Sequence, residues 1–236
     1  MTNVRDFDYI DEFLGDPGPQ AQQIEENLSR LPENQLAEIN DGLQFLDTDR
    51  DRYREWREQL AEGDYTTMHS ELLMVSHFRR KFGEEAVTLS KTIPDSGKDF
   101  DTVVEWNGTE YWIEVLKPDF ADRLQTGEVG FIGWDWIPDS IERKLESDFT
   151  VARENLSSNT VLVLAVYAEE INHVGLSIRR WLDRSEYPVS DYCDAILEYT
   201  HLAGETSVAV REFTDAGANV DALIDEIRDE EAEDRK

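Results

Sequence analysis

The sequence contains almost no cysteine, since Cys193 is the single one among 236 residues. This scarcity excludes an internal disulfide framework and a cysteine-rich zinc site. Long apolar runs are also missing, so no segment is predicted to span a bilayer and no membrane partner is expected. The first residues lack the basic and apolar regions of a signal peptide, which predicts a cytoplasmic protein.

Positive charge is scarce as well, and lysine most of all. The chain has 53 acidic residues against 23 basic ones, of which only six are lysine, and its net charge is −30. The acids are spread along the whole chain, and this composition resembles that of proteins from salt-in haloarchaea, whose acidic surfaces stay hydrated in concentrated salt. We therefore expect a high-salt cytosol. The alternative is an acidic protein that binds a basic partner or imitates DNA.

The negative charge does not by itself exclude a nucleic-acid ligand. In molar salt the Debye length shrinks to about 3 Å, so only charges at the contact itself influence binding. Non-specific electrostatic binding to DNA also weakens steeply as salt rises. If the protein is halophilic, its net charge says little about DNA.

The first 64 residues are predicted to form a helical N-terminal extension. Pro19 begins a helical stretch that runs through Leu28, because proline is well tolerated in the first turn of a helix. Pro32 marks the start of the next helix, whose apolar residues are spaced three and four apart. The extension is not expected to have a large core of its own.

Residues 65–228 are predicted to form an α/β domain. A helical apolar stripe ends near Gly83, a typical C-terminal stop, and three strand candidates and a further helix follow it. The apolar run TVLVLAVYA then predicts a strand buried on both faces. This order predicts a mixed central sheet flanked by helices. Residues 229–236 are predicted to be an acidic disordered tail.

The segments DFDTVVEW and TEYWIEVL are predicted to form a tight β-hairpin, because Asn107-Gly108 between them is a strong signal for a two-residue turn. With that turn, the ladder runs back until Asp101 faces Glu114. The two side chains would share one face of the sheet, with Cβ atoms roughly 5 Å apart. Two carboxylates this close repel each other unless a proton or a cation lies between them.

The acid pair has two interpretations. A hard divalent cation such as Mg²⁺, which prefers oxygen ligands, would relieve the repulsion between Asp101 and Glu114. Alternatively, both acids lie at a solvated sheet end of an acid-rich protein. The predicted pairing of Glu105 with Glu110 shows that facing acids occur here without any special role.

The segment GKDFDTVVEWNGTEYWIEVLKP resembles the signature of the PD-(D/E)xK nucleases. The resemblance covers roughly residues 65–167 and implies a restriction-endonuclease-like core. In that family an Asp at the start of one strand and a Glu with a nearby Lys on the next strand hold Mg²⁺, which implies these roles for Asp101, Glu114 and Lys117. Glu71 in the preceding helix and Lys144 in the following helix match further polar site residues of many members.

The lysine departs from the family pattern. The family places it two residues after the Glu, where this chain has Leu116, whereas Lys117 is third and would point away from Asp101 in a regular strand. A bulge near Pro118 would reverse that direction. Other candidates are Lys98, Arg143 and Lys144 for the positive charge, and Asp99 for the metal ligand.

The resemblance implies hydrolysis of phosphodiester bonds with one or two Mg²⁺ or Mn²⁺ ions, and DNA is favoured over RNA as the substrate. The metal would lower the pKa of a bound water and a lysine would stabilise the developing anion. The alternative is a catalytically inactive module of the same fold that binds nucleic acid or protein, since fold alone does not establish activity. Sequence specificity, pathway and a homodimeric state are left open.

Overall fold

The computed structural model describes residues 3–44, 50–63, 65–117, 136–167, 178–184, 186–202 and 205–212. The chain divides into two compact units, Met1–Ser90 and Lys91–Lys236. The division therefore falls after Ser90, and the helix over 65–82, assigned from sequence to the second domain, belongs to the first unit. The proposed acidic tail, 229–236, lies outside the described residues.

The first unit contains five α-helices among its described residues. They are α1 (Asp8–Leu14), α2 (Pro19–Leu28), α3 (Glu33–Leu43), α4 (Arg50–Glu62) and α5 (Tyr65–Phe82). The predicted starts of α2 and α3 are confirmed: Pro19 is the first residue of α2, and Pro32 is the N-terminal cap of α3. Helix α5 ends at Phe82, and the next residue, Gly83, has a φ of 87°, in the left-handed region that favours glycine.

These helices share a hydrophobic core, contrary to the expectation of an extension without one. Its buried members come from every helix, and Met68 and Leu72 of α5 lie in the same cluster as Leu36 of α3 and Trp56 of α4. Because α5 contributes apolar side chains to this cluster, it groups with the preceding helices. The N-terminal region is thus a packed helical unit.

The sheet has the strand order β1-β2-β3-β4-β5-β6. The strands are β1 (Val87–Thr92), β2 (Asp99–Trp106), β3 (Thr109–Leu116), β4 (Thr160–Tyr167), β5 (Ala195–Leu202) and β6 (Glu205–Glu212). Five of them, β2–β6, lie wholly in the second unit. Pairing is antiparallel between β2 and β3 and between β5 and β6, but parallel between β3 and β4 and between β4 and β5. The predicted α/β class with a mixed sheet and flanking helices is confirmed.

A helical crossover connects β3 to β4, as a parallel pair requires. It ends in α6 (Trp136–Lys144), a π-helical turn (Leu145–Phe149) and α7 (Thr150–Asn155). Ile141, Leu145 and Phe149 of this crossover are buried in one cluster with Val103 and Trp112 of the hairpin. The cluster fixes the crossover against one face of the sheet.

Strand β4 lies between β3 and β5, and all eight of its residues are buried. This confirms the prediction that TVLVLAVYA forms a strand covered on both faces. The last described α-helix is α8 (Ile178–Arg184). Among the helices of the described ranges, none has both the length and the apolar character needed to cross a bilayer.

Candidate functional site

The hairpin between β2 and β3 has the predicted turn and register. Asn107 and Gly108 have φ values of 51° and 79°, and two successive positive values are those of a type I′ turn, which suits the twist of paired strands. Trp106 pairs with Thr109, and the ladder continues to the pair of Thr102 with Ile113. The alignment derived from the two-residue turn is therefore confirmed along these positions.

Asp101 and Glu114 are the next residues beyond that ladder, and each carboxylate accepts a hydrogen bond from the other strand. The backbone N–H of Asp101 donates to Oε2 of Glu114 over 3.3 Å, and the backbone N–H of Val115 donates to Oδ2 of Asp101 over 2.8 Å. Glu114 is buried, with 4% of its surface exposed, whereas Asp101 is half-buried. The two acids adjoin each other, one inside the fold and one toward its surface.

Lys144, the last residue of α6, forms an ion pair with Oε1 of Glu114. Its Nζ also lies 3.2 Å from Oδ2 of Asp148 in the π-helical turn. The other oxygen of Asp148, Oδ1, lies 2.6 Å from Nζ of Lys98, which directly precedes β2. Two lysines and three acids thus form one continuous cluster on the side of the sheet that the crossover covers.

The electrostatics of the cluster follow from its burial. Loss of solvation, followed by the nearby charge of Asp101, raises the pKa of Glu114 to about 8 despite the opposing effect of Lys144. Burial lowers the pKa of Lys144, but the charges of Glu114, Asp101 and Asp148 outweigh it, so the net shift of the Lys144 pKa is upward. Lys144 therefore carries its positive charge at neutral pH. The positive charge near Glu114 is not enough to keep its carboxylate fully ionised.

This shift predicts a pH-dependent stability that Glu114→Gln removes. The unfolded chain releases the Glu114 proton near the ordinary pKa of 4.5, while the folded chain keeps it until about 8. The protonated Glu114 side chain therefore contributes its full stabilisation of the fold below the unfolded pKa of 4.5. This stabilisation is lost as the pH rises through the folded pKa of about 8. Urea denaturation without divalent cations should show wild type losing stability relative to Glu114→Gln across this window. A difference that stays constant with pH would contradict the assigned shift.

The acid pair four residues further along each strand of the hairpin, Glu105 and Glu110, differs in its surroundings. Nζ of Lys91 lies 3.3 Å from Glu105 and 2.7 Å from Glu110. The Glu105 and Glu110 side chains are 58% and 40% exposed, compared with 5% for Glu114. Solvent and Lys91 offset the repulsion between Glu105 and Glu110, whereas the repulsion between Asp101 and Glu114 acts in a buried position.

The other residues proposed from sequence lie in different places. Lys117 follows the last residue of β3 and is half-buried, and Pro118, to which a bulge was attributed, lies outside the described residues. Asp99 is the first residue of β2 and is exposed, as is Arg143. Glu71 belongs to the first unit, where it is buried and accepts a 2.9 Å hydrogen bond from Nε1 of Trp56.

Asp148 is a member of the cluster that sequence reasoning did not identify. A weak signal was available, since Asp148 follows Lys144 by four residues and residues at that spacing are neighbours on a helix. The same spacing is common on solvated helices of an acid-rich chain. Nothing in the local pattern indicated that this particular pair meets Glu114.

The residues fit a small divalent cation with few protein ligands. Within the ranges that the structure describes, no group of three or more His, Cys, Asp or Glu side chains could enclose a metal ion. Mg²⁺, however, usually keeps several water ligands and binds through one or two carboxylates. Asp101 and Glu114 supply two, and the raised pKa of Glu114 shows that added positive charge would stabilise its ionised form.

Comparisons with protein-family models, with curated proteins and with solved structures found no match to this chain. The geometry of the cluster is therefore the basis for a function of this chain.

Proposed function

We propose that this protein is a metal-dependent nuclease that hydrolyses phosphodiester bonds, with DNA as the favoured substrate. The observation that carries the proposal is the contact of Asp101, Glu114 and Lys144 at the end of the hairpin. Two adjoining carboxylates and a charged lysine are the groups needed to hold Mg²⁺ and to stabilise negative charge on a phosphate.

The topology supports a restriction-endonuclease-like core as part of the proposal. The hairpin of β2 and β3 is antiparallel, and the next strand, β4, returns parallel to β3 after a helical crossover. In this arrangement the crossover helix α6 ends beside the hairpin, where Lys144 meets Glu114. The site thus combines residues from the hairpin and from the helix that follows it.

In the proposed mechanism Asp101 and Glu114 would hold the cation. When bound, Mg²⁺ supplies a water of lowered pKa and neutralises charge on the phosphate. The hydrogen bond from Val115 fixes the orientation of Asp101. Lys144 stays protonated, so it stabilises the negative charge that develops on the phosphate and does not act as a general base.

Lys144 takes, in this proposal, the role that the family pattern gives to a lysine on the strand. Leu116 occupies the patterned position, and Lys117 lies beyond the end of β3. A lysine supplied from α6 can reach the same carboxylate because the crossover packs directly on the hairpin face. The absence of the strand lysine favours one alternative, a catalytically inactive module that binds nucleic acid or protein.

Purified protein in molar KCl tests the proposal. We expect cleavage of labelled DNA with Mg²⁺ or Mn²⁺, no cleavage with EDTA, and metal binding by isothermal titration calorimetry. RNA of the same sequence, assayed in parallel, identifies the preferred substrate. Metal binding without cleavage of either polymer would favour the inactive module, and the absence of both would refute the metal site.

A further inference from the structure

We propose that Asp148 is a positioning residue that holds the ammonium group of Lys144 against Glu114. The inference rests on the proposed nuclease function and assigns Asp148 a role within that same site. Asp148 itself would touch neither the metal nor the substrate, since it acts through Lys144.

The contacts show how Asp148 restrains Lys144. Nζ of Lys144 contacts Oε1 of Glu114 on β3 and lies 3.2 Å from Oδ2 of Asp148. A lysine side chain has a long flexible stem, and holding it in one conformation costs conformational entropy. Contacts with acceptors from two different elements limit its ammonium group to the position beside Glu114.

Asp148 is in turn restrained by a second lysine. Its Oδ1 lies 2.6 Å from Nζ of Lys98, so each carboxylate oxygen contacts a different ammonium group. The two lysines outweigh the effect of burial and lower the pKa of Asp148. Asp148 therefore stays ionised at neutral pH and keeps its attraction for Lys144.

The backbone around Asp148 has an unusual geometry that fits this role. Leu145–Phe149 form a π-helical turn, in which the N–H of Thr150 donates to the carbonyl of Leu145. Leu145 and Phe149 are completely buried in the core beneath the crossover. Single π turns within α-helices occur frequently at functional sites. Here the buried residues on each side of the turn set the position of Asp148 relative to the sheet.

The test replaces the charge of Asp148 while preserving its shape. We expect Asp148→Asn to lower kcat by about 10- to 100-fold, the usual effect of removing a group that orients a site residue. KM should change little, because Lys144 acts on charge that develops only in the transition state. Asp148→Glu, which restores the carboxylate, should recover part of the lost rate.

Glu146→Gln is the matched control, because Glu146 lies in the same π-helical turn and the substitution removes the same negative charge. The Glu146 carboxylate accepts a hydrogen bond from the hydroxyl of Tyr187. Its kcat should equal that of wild type. Both variants should melt cooperatively near the wild-type temperature, which excludes partial unfolding as the cause of a lower kcat.

A measurement independent of cleavage follows Lys144 directly. The chain has only six lysines, so the NMR signal of the Lys144 side chain can be assigned by its disappearance in Lys144→Gln. We expect the Lys144 methylene groups to be ordered in wild type and in Glu146→Gln, and mobile in Asp148→Asn.

The outcomes separate the two proposals. If Glu114→Gln abolishes cleavage but Asp148→Asn cleaves like the Glu146→Gln control, Asp148 does not position Lys144 for catalysis and the nuclease function stands. If Lys144 stays ordered in Asp148→Asn, the inference is also wrong. If Glu114→Gln cleaves like wild type, the proposed function falls and the role of Asp148 falls with it.

Discussion

Glu114→Gln and Asp101→Asn should each abolish Mg²⁺-dependent cleavage in a protein that remains folded. Each change removes one of the two carboxylate charges that the hairpin brings together, and neither alters the shape of its side chain much. Glu114→Gln should also relieve the repulsion between the two acids, since the pKa of Glu114 is raised by burial and by Asp101. In the wild type, ionisation of Glu114 as the pH rises should therefore increase the cleavage rate and decrease the free energy of unfolding.

Glu105→Gln and Glu110→Gln are the matched controls for these variants. Glu105 and Glu110 face each other on the same hairpin and also share a lysine, Lys91, but both are substantially exposed. Their amide variants should cleave at the wild-type rate. Equal cleavage by the Glu114 variant and these controls would remove the basis of the nuclease proposal.

Transfer from molar KCl to dilute buffer should destabilise the protein strongly. The chain carries a net charge of −30, and self-repulsion of that charge opposes the compact state. At 0.1 M salt the Debye length is about 10 Å, compared with about 3 Å at 1 M, so many more acid pairs repel each other in dilute buffer. A loss of about 5 kcal/mol would lower the melting temperature by roughly 10–20 °C in a chain of this size.

Differential scanning fluorimetry across a KCl series measures this effect. Sucrose is the control, because it favours the compact state by exclusion from the protein surface but does not screen charge. We expect KCl at low concentration to raise the melting temperature far more than sucrose does. A melting temperature that is independent of salt would instead support an acidic protein adapted to dilute conditions, such as a DNA mimic.

The sequence by itself determined the hairpin and the acid pair within it. Asn107-Gly108 specifies a two-residue turn through local backbone preferences, and the alternation of side chains along a strand carries that register to Thr102 and Ile113. Asp101 and Glu114 follow one residue later. The burial of β4 could also be predicted, because its unbroken apolar run is typical of a central parallel strand.

Only the tertiary structure decided which basic residue meets the acids. Lys98, Arg143 and Lys144 were all candidates for the positive charge, yet Lys144 contacts Glu114, Lys98 contacts Asp148, and Arg143 is exposed. Glu114 and Lys144 lie 30 positions apart in the sequence, and Lys98 and Asp148 lie 50 apart. The packing of the crossover on the sheet sets such distances, and no local pattern encodes them. The same long-range packing placed α5 with the helical unit, because its apolar residues find their partners in α3 and α4.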